Sequence, residues 1–298
     1  MEYQLLGKSE LSISRIGFGC MSLDPYDPES EKILHEAVDK GINYFDTADL
    51  YHKGENESLL GRSFYGRRNG VIISTKAGNQ WRPDGTGWQW NASVKYLLEC
   101  IEQSLRRLKT DYIDLFQLHG GTMEDPIDEI IEAFEKLKTS GRIRHYGISS
   151  IRPAVIREWV KKSRMVSVMM QYSLLDRRPE EEVFPLLKKN QIGVLARGVL
   201  AKGILVSKPA EPFLNYPVEK VEQIQQQLKD ISILPYGPAD RAIHFAIDNT
   251  AVSAAVIGIR TKEQLRTAID AGRTAGLSLL QSTALRNTLS PNTYTDYR

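Results

Sequence analysis

Short apolar runs alternate with helix-like segments along almost the whole chain. Each run is apolar at successive positions, as in parallel strands that are covered on both faces. The eight runs are residues 16–21, 42–47, 71–76, 113–118, 143–149, 166–172, 192–197 and 254–259. This pattern predicts eight buried parallel strands.

The segments between the runs have the periodicity of amphipathic helices. After the third run, the apolar face of the predicted helix holds Val94, Leu97, Leu98, Ile101, Leu105 and Leu108. The buried stripe of the next helix is predicted to be Ile127, Ile130, Ile131, Phe134 and Leu137. A further helix is predicted to contain Val155, Ile156, Trp159 and Val160. Each strand is therefore expected to be followed by a helix.

Capping and helix-breaking residues predict some of the helix boundaries. Asp125 is expected to cap the second of these helices, and Pro126 to occupy its first turn. Gly141 is expected to end the same helix. Pro185 is expected to kink or break the helix that follows the sixth run.

Two architectures fit eight strands that each precede a helix: a closed (β/α)8 barrel and a doubly wound open sheet. The open sheet would carry a Gly-x-Gly-x-x-Gly turn after its first strand. The candidate at Gly17 and Gly19 lacks the third glycine and continues into an Asp-Pro-Tyr-Asp-Pro segment. We therefore expect an α/β fold of the (β/α)8 TIM-barrel type. Because no linker or internal repeat divides the chain, we expect one domain over residues 1–298.

Two segments lie outside the eight repeats. Residues 3–6 and 11–14, joined by a Gly-Lys-Ser-Glu turn, are expected to form an N-terminal β-hairpin that closes the bottom of the barrel. Residues 277–298 are expected to form a C-terminal extension.

Composition and charge exclude several classes of partner. Hydrophobic residues make up 41% of the chain and charged residues 26%, as in ordinary globular proteins. The net charge of +2 gives no electrostatic reason to expect nucleic acid or an anionic membrane as a partner. The two cysteines lack disulfide or metal-ligand spacing, and no signal-like start or stretch of about 20 apolar residues occurs. We expect a cytoplasmic protein whose oligomeric state is open, a monomer being one option.

Polar residues stand at or just after the ends of the predicted strands: Asp46, Lys76, His119, Ser149, Gln171, Arg197 and Arg260. In a barrel these positions meet at the mouth, the rim formed by the carboxyl ends of the strands. Since buried polar groups without partners are costly, a shared polar site explains why such residues recur there.

Four of the candidate residues also have a structural explanation. Asp46 could cap the following turn, Lys76 could extend to solvent, and His119 could be a hydrogen-bonded structural histidine. Tyr51, five residues after Asp46, could be ordinary packing. The five histidines form no His-x-x-x-His or cysteine/histidine cluster, so no metal site is expected. The structural alternatives are weakened because the four residues occur together.

The four side chains have complementary acid–base properties. A tyrosine has a reference pKa near ~10. A lysine ammonium beside it stabilises the phenolate, and a carboxylate anchors that lysine. A histidine can form a hydrogen bond to a carbonyl oxygen. Asp46, Tyr51, Lys76 and His119 could therefore protonate an oxygen that gains negative charge while a hydride arrives at its carbon.

Longer motifs around these residues resemble the aldo-keto reductase family over nearly the whole chain. The motifs are Gly-Phe-Gly-Cys-Met at 17–21, Gly-Ile-Asn-Tyr-Phe-Asp-Thr-Ala-Asp-Leu-Tyr at 41–51, Ile-Ser-Thr-Lys at 73–76, Ser-Leu-Arg-Arg-Leu at 104–108, Asp-Tyr-Ile-Asp-Leu at 111–115, Gly-Ile-Ser at 147–149 and Gln-Tyr-Ser at 171–173. The Asp-Thr-Ala-x-x-Tyr spacing with the following lysine and histidine is highly specific, whereas each piece alone is weak.

The resemblance implies a bacterial type of NADPH-dependent enzyme that reduces small-molecule aldehydes or ketones to alcohols. It implies a catalytic tetrad of Asp46, Tyr51, Lys76 and His119, with Tyr51 as the general acid. It also implies that NADPH or NADP+ lies extended across the mouth. The implied cofactor-binding positions are Gly19, Cys20, Met21, Asp46, Ser149, Ser150, Gln171, Arg197, Gly198, Leu200, Lys202, Gly258, Arg260 and Gln264.

The family likeness also assigns parts of the cofactor and the substrate loop. Ser149 and Gln171 resemble the residues that hold the carboxamide, and Gly258, Arg260 and Gln264 match the adenosine-phosphate region. Residues 77–91 resemble the substrate loop. Its walls would include Trp81 and Trp88, for which simple packing is the alternative. The implied substrate contacts are Tyr51, Trp81 and His119.

Three departures from the family pattern affect the cofactor site. Ser150 stands where asparagine or arginine is common, and Thr267 with Ala268 replaces a frequent Glu-Asn pair near the adenine. Arg197 occupies the usual position of an aromatic ring stacked on the nicotinamide, as in some bacterial members. It is expected either to stack there or to face the pyrophosphate or an acidic substrate.

Two other functions are alternatives to a reductase. Some relatives use the same fold as a cofactor-sensing subunit of a larger assembly, but the intact tetrad and the lack of a tethering segment favour the enzyme. A barrel lyase or hydrolase would require a metal or nucleophile cluster, which the sequence does not contain.

Overall fold

A computed structural model describes residues 1–232 and 236–296 of the chain. The strands are β1 (Tyr3–Leu5), β2 (Ser12–Ser14), β3 (Ile16–Gly19), β4 (Tyr44–Asp46), β5 (Ile72–Ala77), β6 (Asn79–Trp81), β7 (Trp88–Trp90), β8 (Ile113–Leu118), β9 (Ile143–Ser149), β10 (Ser167–Gln171), β11 (Gly193–Arg197) and β12 (Val252–Gly258). Within the described residues, β3, β4, β5, β8, β9, β10, β11 and β12 close into a parallel barrel in chain order. The predicted (β/α)8 fold is confirmed.

Helices cover the outside of the barrel. They are α1 (Pro28–Asp39), α2 (Glu55–Ser63), α3 (Val94–Leu108), α4 (Ile127–Thr139), α5 (Pro153–Lys162), α6 (Val183–Lys189), α7 (Val218–Asp230), α8 (Pro238–Ile247), α9 (Lys262–Ala271) and α10 (Leu279–Thr288). Large side chains such as Phe134 and Trp159 are fully buried between the helices and the strands. Because both faces of each strand are covered, the strands read as continuous apolar runs.

The N-terminal hairpin closes the bottom of the barrel, as the sequence predicted. Strands β1 and β2 pair in antiparallel register. The buried Leu6, Leu11 and Ile13 pack with side chains that point into the barrel, among them Leu115 and Met169. A Cβ on Gly7 would lie 2.3 Å from the carbonyl oxygen of Val166, so only glycine fits this close approach.

The first barrel strand ends two residues earlier than the sequence predicted. β3 ends at Gly19, and Cys20–Ser22 form a turn of 3-10 helix. The amide of Leu23 donates to the carbonyl of Cys20, a bond that turns the chain away from the barrel. The apolar character of Cys20 and Met21 therefore did not indicate strand pairing.

Three of the helix predictions were wrong. Leu98 is 38% exposed, so it lies outside the buried face of α3. Asp125 does not cap α4, because its carboxylate accepts hydrogen bonds from the Thr122 amide and the Trp90 indole instead. Pro185 does not break α6, since it lies in the first turn, where its missing N–H would have no helical acceptor. Gly141, by contrast, follows the end of α4 with φ +76, as predicted.

The predicted substrate loop contains a β-hairpin that the sequence analysis did not identify. Strands β6 and β7 pair in antiparallel register, with Trp81 opposite Trp88. We call residues 79–90 the tryptophan hairpin. It begins directly after β5, so it lies at the mouth of the barrel.

The C-terminal extension packs over loops at the mouth. After α10, Asn292 accepts a hydrogen bond from the backbone of Arg177, and Ser290 accepts one from the Tyr216 hydroxyl. Residues 297 and 298 of the predicted extension lie outside the described residues. Among the helices described, none combines the length and the apolar composition that crossing a membrane requires.

The contact between α2 and α3 should tolerate no added volume at Gly61. A Cβ there would lie 2.1 Å from the carbonyl oxygen of Arg107. We expect Gly61→Ala to lower the free energy of unfolding by about 1–3 kcal/mol, the usual effect of overpacking. Urea denaturation measures this loss. The control is Gly70→Ala, whose added Cβ meets nothing within 4 Å. Equal stability of the two variants would contradict this packing.

Candidate active site

Three of the predicted site residues come from the ends of neighbouring barrel strands. Strand β4 pairs with β5, and β5 pairs with β8, so their carboxyl ends lie side by side. Asp46 ends β4, Lys76 lies one residue before the end of β5, and His119 directly follows β8. The His119 amide donates to the carbonyl of Ala77, which continues the pairing of β8 with β5.

Lys76 and Asp46 form a buried ion pair. The Lys76 ammonium lies 2.6 Å from Asp46 Oδ2 and 2.7 Å from the carbonyl oxygen of Thr47. Lys76 is 1% exposed, so the possibility that it extends to solvent is excluded. Removing one partner of such a pair would leave an uncompensated buried charge, which costs about 3–5 kcal/mol.

Tyr51 and His119 complete a four-residue cluster with this ion pair. The Tyr51 ring centroid lies 5.3 Å from the Lys76 ammonium and 5.9 Å from the His119 ring, whose plane is nearly perpendicular. The structure therefore brings together all four members of the predicted tetrad.

Burial and nearby charge set the protonation states of the cluster. Burial raises the pKa of Tyr51, an effect that Lys76 partly opposes. Burial alone would lower the pKa of Lys76, but Asp46 and Tyr51 together raise it. Burial also raises the pKa of Asp46, against the effect of Lys76. Burial, Lys76 and Arg197 lower the pKa of His119 to about 3. At neutral pH the cluster therefore holds a phenol, an ammonium and an uncharged imidazole.

A buried polar layer positions the segment that carries Tyr51. Thr47 Oγ1 donates to Asn56 Oδ1 at 2.7 Å, and Thr75 Oγ1 donates to Glu57 Oε1 at 2.5 Å. Glu57 also pairs with Arg107 at 2.7 Å. Asn56 and Glu57 are fully buried and were not identified from the sequence. The available signal was that both residues lie on the same short helix as Leu59 and Leu60, which the core buries. Polar residues that are buried with such a helix need hydrogen-bond partners.

The chain turns sharply just after Tyr51. His52 and Lys53 have φ values of +50° and +56°, and Gly54 follows at +91°. Left-handed conformations are unfavourable for residues with a side chain. We call residues 47–54 the Tyr51 turn; the polar layer described above holds it in this conformation.

The predicted cofactor residues lie around the rest of the mouth. Strand ends supply Gly19, Ser149, Gln171, Arg197 and Gly258. The loops and turns that follow supply Cys20, Met21, Ser150, Gly198, Leu200, Lys202 and Arg260, and the first turn of α9 supplies Gln264. The Cys20 side chain is buried in the core, so only its backbone faces the mouth.

Several features of this rim fit an extended nicotinamide cofactor. Gly19 and Gly258 pair side by side at the ends of β3 and β12, so backbone without side chains lines that part of the mouth. Within the described residues, the side chains of Ser149 and Gln171 form no hydrogen bond, which leaves them free for a ligand amide. The exposed Arg260 lies beside the N-terminus of α9 and, among the same residues, has no ion pair.

Other predicted positions are partly occupied by local contacts. Ser150 Oγ accepts a hydrogen bond from the Arg152 amide. Gln264 Oε1 accepts one from the Arg260 amide, so its NH2 group remains available. Arg197 is exposed, yet its charge affects the pKa of His119 and Tyr51, which places it near the cluster.

Trp81 connects the tryptophan hairpin to the Tyr51 turn. Its indole N–H donates to the carbonyl of Leu50 at 3.1 Å, and the Lys53 ammonium lies 5.3 Å from its ring. Trp88 is 52% exposed at the paired position on β7. Trp81 therefore lies next to the tetrad, as a wall of a substrate site would.

Asp46 Oδ1, Gln117 Oε1 and His119 Nδ1 are among the buried polar atoms that lack hydrogen-bond partners within the described residues. Such atoms at a mouth indicate a site for a polar ligand. In the described part of the chain, no group of three or more histidine, cysteine or acidic residues is arranged to hold a metal ion.

Comparisons with known proteins agree with this geometry. The family model described as aldo/keto reductase matches residues 15–284. The chain is 45% identical to the uncharacterized oxidoreductase YqkF of Bacillus subtilis (strain 168), with all of both chains covered. It is 33% identical to the NADP(+) aldo-keto reductase yakc of Schizosaccharomyces pombe, over 67% of this chain and 62% of that protein.

A solved structure is similar over its whole length. It is the holo form of the aldo-keto reductase AKR11C1 from Bacillus halodurans, with a TM-score of 0.95 and 41% identity. The similarity covers 100% of this chain and 99% of that one. With the barrel, the tetrad and these matches in agreement, the chain belongs to the aldo/keto reductase family of oxidoreductases.

Proposed function

We propose that this chain, as a single domain over residues 1–298, reduces an aldehyde or ketone to an alcohol with NADPH. The observation that carries the proposal is the buried Lys76–Asp46 pair beside Tyr51 and His119. Two buried charged side chains lie at one barrel mouth beside an imidazole nitrogen that has no partner among the described residues, and this arrangement supports a catalytic use.

The four residues divide the acid–base work among them. Bound NADPH supplies the hydride that reaches the carbonyl carbon. Tyr51 donates its phenolic proton to the carbonyl oxygen as that oxygen gains negative charge. Lys76 stabilises the phenolate that remains, and Asp46 holds the ammonium in place. His119, uncharged at neutral pH, donates a hydrogen bond to the same oxygen and orients it.

The rim residues would hold the cofactor. Ser149 and Gln171 would bind its carboxamide, and Gly19 and Gly258 would let it approach the backbone closely. Arg260 would bind the 2′-phosphate, because its planar guanidinium matches phosphate oxygens. The NADP(+) named for the relative from Schizosaccharomyces pombe supports the choice of cofactor.

A panel of aliphatic and aromatic aldehydes tests the reductase against the cofactor-sensing subunit. Rapid NADPH oxidation with some of these aldehydes supports the enzyme. Tight NADPH binding with negligible turnover across the panel would support the sensor instead.

Replacing Tyr51 should abolish most of the reaction. We expect Tyr51→Phe to reduce carbonyl reduction by at least ~100-fold, since a general acid contributes about that much. NADPH binding, followed by fluorescence quenching, should change little because the cofactor is held by other residues. The matched control is Tyr65→Phe on an exposed tyrosine. Lys76→Met should resemble Tyr51→Phe, and turnover of Tyr51→Phe within a few-fold of wild type would remove Tyr51 from the mechanism.

Arg260 should determine the preference for NADPH. Since only NADPH carries the 2′-phosphate, Arg260→Ala should weaken NADPH binding far more than NADH binding. Titration of both cofactors measures the two dissociation constants. Arg273→Ala, which removes an exposed arginine beyond the other end of α9, serves as the control. Equal losses for both cofactors would instead indicate that Arg260 is an ordinary surface arginine.

Arg197 should favour the reduced cofactor. A guanidinium can stack on the nicotinamide, but its charge repels the positive ring of NADP+ and not the neutral ring of NADPH. We expect Arg197→Trp to raise the affinity for NADP+ relative to NADPH several-fold. Titration of wild type and variant with both cofactors gives this ratio. An unchanged ratio contradicts stacking, and a loss of both affinities indicates contact with the pyrophosphate.

A further inference from the structure

A second cluster of polar side chains lies behind the Tyr51 turn, outside the barrel. Its centre is Asp49, whose Oδ1 is buried without a hydrogen-bond partner among the described residues. The thiol of Cys100, a weak donor, interacts with the same carboxyl group. The tetrad does not use Asp49, so its buried carboxyl group needs another explanation.

Among the described residues that face Asp49, none forms an ion pair with its carboxylate. From α2 the carboxylate of Glu57 repels it, and this carboxylate is already bound to Arg107 of α3. From α3 come also the thiol of Cys100 and the hydroxyl of Tyr96. Burial, followed by Glu57, raises the pKa of Asp49 to about 7, although Cys100 and Arg107 partly oppose this. The carboxyl group therefore gains or loses a proton near neutral pH.

The hydroxyl of Tyr96 has two competing oxygen acceptors, and the thiol of Cys100 also lies beside it. It lies 3.4 Å from Asp49 Oδ2 and 3.5 Å from the carbonyl oxygen of Asn79. A hydroxyl has one proton to donate. When Asp49 is ionised, its carboxylate is the stronger acceptor, so the Tyr96 hydroxyl donates its hydrogen bond to Asp49. When Asp49 is neutral, its own O–H can donate to Tyr96, and the Tyr96 hydroxyl is then free to donate to Asn79.

Both Asp49 and Asn79, the two residues that Tyr96 contacts, lie next to the active site. Asp49 lies two residues before Tyr51, and its amide donates to the carbonyl oxygen of Lys76 at 3.0 Å. Asn79 is the first residue of the tryptophan hairpin, whose Trp81 donates to the carbonyl of Leu50. The Asp49–Tyr96–Asn79 contacts therefore join the Tyr51 turn to the hairpin that borders the mouth.

We infer that Asp49 is a positioning residue that, when it takes up a proton, redirects the Tyr96 hydroxyl to Asn79 and so holds the tryptophan hairpin against the Tyr51 turn. The inference rests on the proposed function in one respect, that the hairpin contacts the carbonyl substrate. Neutral Asp49 then favours substrate binding, and ionised Asp49 weakens it. Tyr51 keeps its own role as proton donor in both states.

The first test separates KM from kcat across pH. With saturating NADPH, the wild-type KM for an aldehyde should rise about fivefold as Asp49 ionises, the effect of one ordinary hydrogen bond. In Asp49→Asn the amide N–H replaces the carboxyl O–H, so KM should stay at its low-pH value throughout. The pH dependence of kcat should be the same in both proteins. A wild-type KM that does not vary with pH, or an Asp49→Asn variant that keeps the variation, would overturn the inference.

The second test does not depend on activity. A carboxyl group with a raised pKa is protonated in the folded chain at pH values where the unfolded chain has released the proton. Its contribution to stability is therefore lost as pH rises from the ordinary aspartate value towards about 7. The urea midpoint of Asp49→Asn should therefore rise relative to the wild-type midpoint as pH increases from about 5 to about 8. The control, Asp39→Asn on an exposed aspartate, should show no such gain.

Tyr96→Phe provides an independent check if Asp49→Asn folds poorly. Without the hydroxyl, KM should stay at the high-pH wild-type value at every pH; a KM that still falls at low pH would overturn the inference. The urea result also separates the two proposals. If Tyr51→Phe keeps its turnover while Asp49→Asn shows the stability gain, the proposed acid is wrong and proton uptake by Asp49 stands. If the gain is absent, the inference fails whatever Tyr51 does.

Discussion

The ion pair between Lys76 and Asp46 is the interaction on which the rest of the site depends. Two charges that are buried at a barrel mouth are tolerated only if they are paired and hydrogen-bonded, and here the carbonyl of Thr47 completes the set. The pair forms because β4 and β5 are adjacent and Lys76 lies two residues beyond Ser74, the register partner of Asp46. It keeps a fixed positive charge beside the Tyr51 ring, and the same charge helps to keep His119 neutral. The order of the strands thus determines which charged and polar side chains lie next to one another.

Tyr51 is held by a segment that is not regular structure, so its position has to be fixed from behind. The Tyr51 turn contains two left-handed residues with side chains, an arrangement that persists only when surrounding contacts enforce it. Asn56 supplies such a contact by accepting from Thr47, and Glu57 holds the same helix, α2, to Thr75 of β5. Asp49 differs from these two because its Oδ1 has no hydrogen-bond partner among the described residues, and burial raises the pKa of its carboxyl group to about 7.

The mouth combines open backbone with charged side chains. Gly19 and Gly258 leave the ends of two paired strands bare, whereas Arg197 and Arg260 place positive charge at the ends of β11 and β12. The tryptophan hairpin and the C-terminal extension then border this surface from different sides. These borders surround a cluster in which Asp46, Lys76 and His119 come from strand ends and Tyr51 comes from a turn.

The sequence alone determined the parallel barrel and the closing hairpin, and it predicted the four clustered residues of the mouth, because strand periodicity and the residues that follow each strand are local features that a barrel brings to one rim. It did not determine which polar residues would find partners. Asp125 looked like a helix cap until the fold placed the Trp90 indole beside it. Likewise, the sequence analysis did not identify the contacts of Asp49, Asn56 and Glu57, which form only where α2 and α3 pack against β5. Burial and hydrogen bonding depend on segments far apart in the chain, so the tertiary structure alone decides them.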